Sequence, residues 1–351
     1  MHMADALISP AVGGAMLAVT AGLAVYSASK VKDEMDEKKI PLMGVMGAFV
    51  FAAQMINFTI PATGSSGHIG GGILLAILLG PYAGFLTMAS VLLIQALFFA
   101  DGGLLAYGCN VFNLGFWSCF VAYPLIYKWF TRTGLSASNI SWGAIIAVVV
   151  GLQLGAFSVV LETLASGQTE LPFATFVLLM QPIHLAIGLA EGLITAAVVT
   201  FVWKARPEIL DKAAIGAALG NLSLKKVLTA LTIAVVLVGG GLSWFASANP
   251  DGLEWSMERT AGTAELEAPD GIHQNLADLQ ESTAFLPDYS FKSSGEEVES
   301  GPVEDTPAPW PAVDAGTSVA GLAGGALTLG LAALIGLVIS RSRKKASRIA
   351  A

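Results

Sequence analysis

Four histidines, His2, His68, His184 and His273, are the only imidazoles in this 351-residue chain. His2 directly follows Met1. The Met1 α-amine, the His2 amide nitrogen and the His2 imidazole can therefore close fused five- and six-membered chelate rings on one metal ion. His68 lies in the glycine-rich stretch Gly64-Ser65-Ser66-Gly67-His68-Ile69-Gly70-Gly71-Gly72 and can supply a fourth nitrogen. An all-nitrogen, roughly planar donor set suits Ni(II) or Cu(II) best, with Co(II) also accommodated. Such a site needs a deprotonated amide and a neutral imidazole, so its affinity should fall in acid. The glycines around His68 allow backbone to approach a bound object closely. The extreme N-terminus lacks the basic n-region of a secretion signal, so the mature chain is expected to begin at Met1. The residues before Leu7 are then free to fold back as a plug.

A second constellation, Gln181, His184, Gly188 and Glu191, has the spacing i, i+3, i+7 and i+10 and shares one helical face. A carboxylate within an apolar run is expensive and marks a functional position by default. The expected service of Gln181, His184 and Glu191 is support behind the metal ligands. A purely structural alternative has Glu191 hydrogen-bond a neighbouring helix through Asn110, Asn113, Gln54 or Asn57. Cys109 and Cys119 are ten residues apart in one apolar run, about 15 Å along a helix, too far to bridge. The chain lacks GxxxxGK[ST], HExxH and GxSxG. These absences argue against a self-energised pump and an intramembrane hydrolase.

These residues are carried by long apolar runs. The chain is 54% hydrophobic and 13% charged, with mean hydropathy +0.69, against roughly 25% charged residues in soluble domains. A soluble enzyme with one large core is excluded. Apolar segments cover residues 6–29, 42–60, 73–99, 104–127, 143–164, 173–203, 227–245 and 318–340. The 73–99 run contains Gly80-Pro81 and reads either as one long helix or as a short half-crossing, a turn and a second crossing. Lysine and arginine positions choose between these. With two crossings, 16 of the 18 basic residues fall on one face, as the positive-inside rule requires. That arrangement gives seven crossings up to Trp203, an outside N-terminus and two further crossings after Lys226. It also puts His2 and His68 on the same outer face, although histidine played no part in fixing it. The juxtamembrane basic clusters report topology, so no nucleic-acid partner is expected.

The formal charge of −8 divides unevenly. Residues 249–315 hold 15 of the 26 acidic residues and only Arg259 and Lys292 as basic ones, a local −13 against +5 elsewhere. This outer loop reads as a solvated spacer in preference to a low-affinity cation attractor. A lone exposed His273 within it is expected to stay out of the site.

The opening Met1-His2-Met3-Ala4-Asp5-Ala6, the Gly64-Ser65-Ser66-Gly67-His68 loop and the seven crossings resemble the substrate-specific component of nickel and cobalt energy-coupling-factor transporters, the NikM/CbiM type. Asn249-Pro250-Asp251-Gly252-Leu253-Glu254-Trp255 with Leu286-Pro287-Asp288-Tyr289-Ser290-Phe291 resembles the PDGLE-type companion subunit, here fused to the first unit. The resemblance implies an all-α integral membrane protein of the bacterial or archaeal cytoplasmic membrane. Residues 1–205 would form a seven-helix metal-binding unit and 206–226 a cytoplasmic linker. Residues 227–345 would form a two-helix companion with the extracytoplasmic loop 249–315, followed by the tail 346–351. It implies metal ligation by Met1, His2 and His68, with Ni(II) or Co(II) as transported substrate and no enzyme activity or resident cofactor. The implied partners are a membrane coupling subunit and cytoplasmic ATPase subunits. The PDGLE form tips the metal towards nickel. Two rivals are a self-sufficient proton-coupled transporter using Glu191 and His184, and a metal sensor or assembly scaffold.

Overall fold

The computed structural model describes residues 2–350 apart from 33, 35, 169–170, 264–265, 267–268, 270 and 293–309, with the backbone alone for 343–350. Ser9 caps α1 (Pro10–Val31), accepting from the Val12 amide, and Pro10 occupies the first turn, where its missing N–H costs nothing. Helix α2 (Lys39–Gln54) ends well short of the expected 42–60 span. Phe58, Thr59 and Ile60 instead form β1 (Phe58–Ile60), which pairs antiparallel with β2 (Ser65–Gly67) in the register Phe58↔Gly67, Thr59↔Ser66 and Ile60↔Ser65. Pro61 and the turn behind it fold the chain back. His68 therefore leaves a hairpin, where a plain loop was expected.

The 73–99 run breaks where the distribution of charge requires. Helix α3 (Gly72–Leu79) stops at Gly80, whose φ of 83° suits glycine, and Pro81 opens α4 (Pro81–Phe99). Eight residues rise only about 12 Å, less than the roughly 30 Å hydrocarbon layer. Every residue of α3 is buried in protein, which spares it the length a lipid-facing helix needs.

The bundle continues with α5 (Tyr107–Thr131), α6 (Ala137–Ser166) and α7 (Phe173–Ala205), followed by the short α8 (Pro207–Ala214). The second unit holds α9 (Lys225–Gly240), α10 (Gly252–Ala261), α11 (Ile272–Thr283) and α12 (Ala315–Ala350). Among the described residues six helices are long and apolar enough to cross a membrane: α1, α4, α5, α6, α7 and α12. The nine expected crossings thus include three shorter helices, α2, α3 and α9. Cys109 and Cys119 are free and buried.

The two units are packed together. Helix α12 lies along α2, and the described part of the 249–315 segment docks on the first unit where a solvated spacer was expected; residues 293–309, which include most of the expected Pro-rich spacer, lie outside the described residues. Asp251 caps α10 through the Leu253 and Glu254 amides, and the Glu254 side chain returns a bond from the Asp251 amide. Leu253, Met257 and Leu286 are buried while Glu258, Arg259, Asp278 and Glu281 are exposed. His273, expected to be exposed, is buried and bonds through Nε2 to the Ile8 carbonyl at 2.8 Å. The acidic composition concealed the amphipathic pattern, with apolar residues spaced along one face of each short helix.

Candidate metal centre

Residues 2–8 are drawn into the protein, with Met3, Ala6, Leu7 and Ile8 buried. Asn110 grips residue 3 from both sides. Its Oδ1 accepts from the Met3 amide at 2.8 Å and its Nδ2 donates to the Met3 carbonyl at 3.1 Å. The Gly103 amide donates to the same carbonyl at 2.9 Å, and the Ala106 amide donates to Asp5 at 2.9 Å. These bonds seat His2 against Asp101, whose Oδ1 lies 2.6 Å from His2 Nδ1. His2 Nε2 is buried and has no partner among the described residues. Met1, the remaining expected ligand from this segment, lies outside the described residues.

His68 is set by the opposite wall. Glu191 on α7 accepts from the Gly70 amide at 2.7 Å and the Gly71 amide at 2.8 Å, one oxygen to each. Gln54 Nε2 donates to the Gly70 carbonyl at 2.9 Å. The His68 and His2 ring centroids are 5.0 Å apart, with planes inclined by 40°. His68 Nδ1 lies 3.0 Å from the Ile69 carbonyl. A carbonyl only accepts, so Nδ1 carries the hydrogen and Nε2 the lone pair. Burial pushes the His68 imidazole down to about 4, so it is neutral at ordinary pH.

Asp101 links this pair to the second unit. The Tyr289 hydroxyl donates a short bond to its Oδ2. Burial alone would raise the Asp101 carboxyl; the His2 imidazole and the Tyr289 hydroxyl outweigh it and hold the group down at about 2. A cavity of about 530 Å³ opens between the two units, and His2, His68, Asp101, Asp251, Glu254 and Tyr289 are among its lining residues. Among the described residues no three His, Cys, Asp or Glu side chains form a metal-ligand group.

The hairpin carrying His68 is gripped by the second unit. Ser66 donates from its amide to the Pro250 carbonyl at 2.8 Å and from its hydroxyl to the Asn249 carbonyl at 2.7 Å. Trp255 Nε1 donates to the Thr63 carbonyl at 3.1 Å. Gly252 lies so close to α7 that an added Cβ would sit 2.6 Å from Ile183 Cγ2 and 3.3 Å from His184 Cε1.

Residues 2–209 match the family model described as the cobalt uptake substrate-specific transmembrane region, CbiM. The chain belongs to the CbiM family. Beyond that CbiM region, residues 225–341 match the PDGLE domain. A relative in Archaeoglobus fulgidus that carries the name NikMN is 36% identical over 233 residues, covering 66% of this chain and 75% of its own. The fused nickel transport protein NikMN of Rhodobacter capsulatus is 29% identical over 317 residues, covering 83% and 88%. The cobalt transport protein CbiM of Sorangium cellulosum is 31% identical over 189 residues, covering 52% and 80%. A crystal structure of a truncated transition metal transporter aligns with TM-score 0.52 and 32% identity, over 58% of this chain and 99% of the other.

Within this CbiM-family chain the α7 face divides. Glu191 meets backbone amides, with none of the four side chains of the structural alternative as its partner, and Gln54 reaches the same turn from the other side. Asn110 instead holds Met3, and Asn113 donates to Glu162 at 2.7 Å. Gln181 turns away from the site and exchanges bonds with Gln153 on α6. His184 Nδ1 engages the Met180 carbonyl at 2.8 Å, and its ring lines a small second cavity with His68 and Asp251. Asp101, Asn110 and Tyr289 carried no spacing signal. They lie in different elements and meet only through the fold.

Proposed function

We propose that this chain captures a divalent nickel or cobalt ion outside the membrane, as the substrate-binding component of an ATP-driven importer. The ion is the transported substrate. It would be held by the Met1 α-amine, the His2 amide nitrogen and imidazole, and His68 Nε2, with Met1 taken as the first residue. The observation that carries this reading is the 5.0 Å approach of the His2 and His68 rings; the Met1 amine and the His2 amide nitrogen would complete a four-nitrogen set. Such a set suits a planar d8 ion. Relatives named for nickel and for cobalt support the ion class, and the PDGLE segment favours nickel.

The six-membered chelate ring uses His2 Nδ1, which the ion-free protein offers to Asp101 while Nε2 stays buried without a described partner. Rotation of the ring about Cβ–Cγ would free Nδ1 for the ion and turn the Nε2 edge towards Asp101. Asp101 would then help to orient the ligating imidazole, as carboxylates commonly do for metal-bound histidines.

In this reading residues 1–205 form the binding unit, 206–226 a cytoplasmic linker and 227–345 the companion, with the N-terminus outside and the C-terminus in the cytoplasm of a bacterium or archaeon. Inward release is driven by a separate membrane coupling subunit and ATPase subunits. Proton coupling through Glu191 and His184 is disfavoured, because each Glu191 oxygen already accepts from an amide of the His68 loop.

Acetylation of the Met1 amine tests the capture site. Wild-type protein should bind Ni(II) tightly with the visible band of a diamagnetic planar complex, and the acetylated chain, which has no amine to anchor the chelate, should lose both. Equal affinity in the acetylated chain overturns the site. Uptake that persists without an ATPase partner overturns the energy coupling.

A further inference from the structure

The polar contacts of the two histidine segments form one continuous chain. From His2 it runs to Asp101, to Tyr289, to Gln95, to Gln54 and on to the Gly70 carbonyl in the His68 loop. All of these except Tyr289 lie within residues 2–209. Tyr289 lies in the PDGLE-matched region and bridges the gap between Asp101 and Gln95.

Its hydroxyl has no freedom of direction. Gln95 Nε2 donates to the Tyr289 oxygen at 3.2 Å and to Gln54 Oε1 at 2.9 Å, which leaves the phenolic hydrogen for Asp101. The Tyr289 ring lies flat on Phe99, with centroids 5.1 Å apart and planes 17° from parallel, and edge-on to Phe51 at 6.2 Å. Asp288 and Tyr289 both take left-handed backbone, φ 48° and 59°, a region that non-glycine residues usually avoid. The backbone thus adopts an unfavourable turn that aims this phenol at Asp101.

We infer that Tyr289, supplied by the C-terminal unit, is a positioning residue of the metal site, holding the His2 imidazole in register with His68 through Asp101. The inference rests on the capture reading above. It gives the companion a definite role, completing the outer hydrogen-bond layer of a site whose ligands all belong to the first unit. Partners of this kind fix ligand orientation, and their loss typically costs 10- to 100-fold in metal affinity.

The test is competitive Ni(II) titration of the full chain against a chromophoric chelator. Tyr289→Phe keeps the ring on Phe99 and removes only the hydroxyl. Its affinity should fall about tenfold, with the planar Ni(II) band restored at saturating metal. Asp101→Asn should also weaken binding. Adding Tyr289→Phe to Asp101→Asn should then change affinity less than about twofold, because the phenol acts through that carboxylate. A merely structural loss would persist in the Asp101→Asn background. Wild-type affinity in Tyr289→Phe, or single losses that multiply in the double variant, overturns the inference. Gln95→Met, which removes the donor that directs the hydroxyl, is the second variant should Tyr289→Phe not fold. It should lose affinity too, and wild-type binding there is equally fatal. Acetylation of the Met1 amine separates the two levels. If it leaves affinity unchanged, the capture reading falls. If it abolishes binding while Tyr289→Phe matches wild type, only the role of Tyr289 falls.

Discussion

Replacing Glu191 by Gln changes one oxygen to NH2 with almost no change in volume, and it strikes the anchor of the His68 loop. In the wild type two backbone amides donate to the carboxylate at 2.7 and 2.8 Å, and Glu191 is 2% exposed. A glutamine can accept from only one of them and turns its own donor towards the other. One buried N–H is then unpartnered, at about 1–3 kcal/mol, and the surviving bond loses its charge assistance, about 1 kcal/mol. The total is about 2–4 kcal/mol. If half of this falls on the ion-bound arrangement of the loop, affinity drops about 5- to 30-fold, at roughly 1.4 kcal/mol per tenfold. Ni(II) competition titration reads the affinity, and thermal unfolding of the ion-free protein reads the remainder as a lowered midpoint. Affinity within twofold of wild type would refute the anchoring of the loop by this carboxylate. Intact binding with transport abolished would return Glu191 to a proton-coupling role.

The acid limit of the site should follow His68. Its folded-state value of about 4 lies below the roughly 6.5 of a free imidazole, so the unfolded chain binds the extra proton first and the folded state loses this contribution as pH falls from about 6.5 towards 4. Unfolding midpoints across that window should decline less steeply in His68→Asn than in wild type; parallel curves would contradict this. Asn110→Ala removes both side-chain bonds to residue 3 and leaves the Met3 N–H to find another partner. It should lower Ni(II) affinity about tenfold by loosening the segment that carries His2, and an unchanged titration would show that the segment holds itself.

The long apolar runs were readable as helices because a bilayer demands continuous hydrophobicity. The break at Gly80-Pro81 followed from the side on which the lysines and arginines fall. The hairpin at 58–67 was not readable. Its strands are three residues each, its local pattern is that of a glycine-rich loop, and its stabilising bonds come from Asn249, Pro250 and Trp255, nearly two hundred positions away. Glu191 was readable as a residue with work to do, but its partners were not, since backbone amides leave no mark on a sequence. Charge misled at 249–292, where the net −13 of the wider loop suggested solvation while Leu253, Met257, His273 and Leu286 turn inward. The expected ligands His2 and His68 lie together in the fold. Asp101 and Tyr289, 188 positions apart, had no pattern to announce them.

The seating of Ser66 and Thr63 against residues 249–255 has a consequence for how the two units find each other. As separate chains they would meet by diffusion in the membrane, and occupancy would depend on the amount of each. Joined in one chain, the encounter becomes intramolecular, with an effective concentration set by the length and stiffness of the connection. A handful of individually modest hydrogen bonds then suffices to keep the segment docked at every copy. The one-to-one ratio is fixed at translation, and the interface can remain weak enough to open and close during a transport cycle without the halves ever being lost to each other.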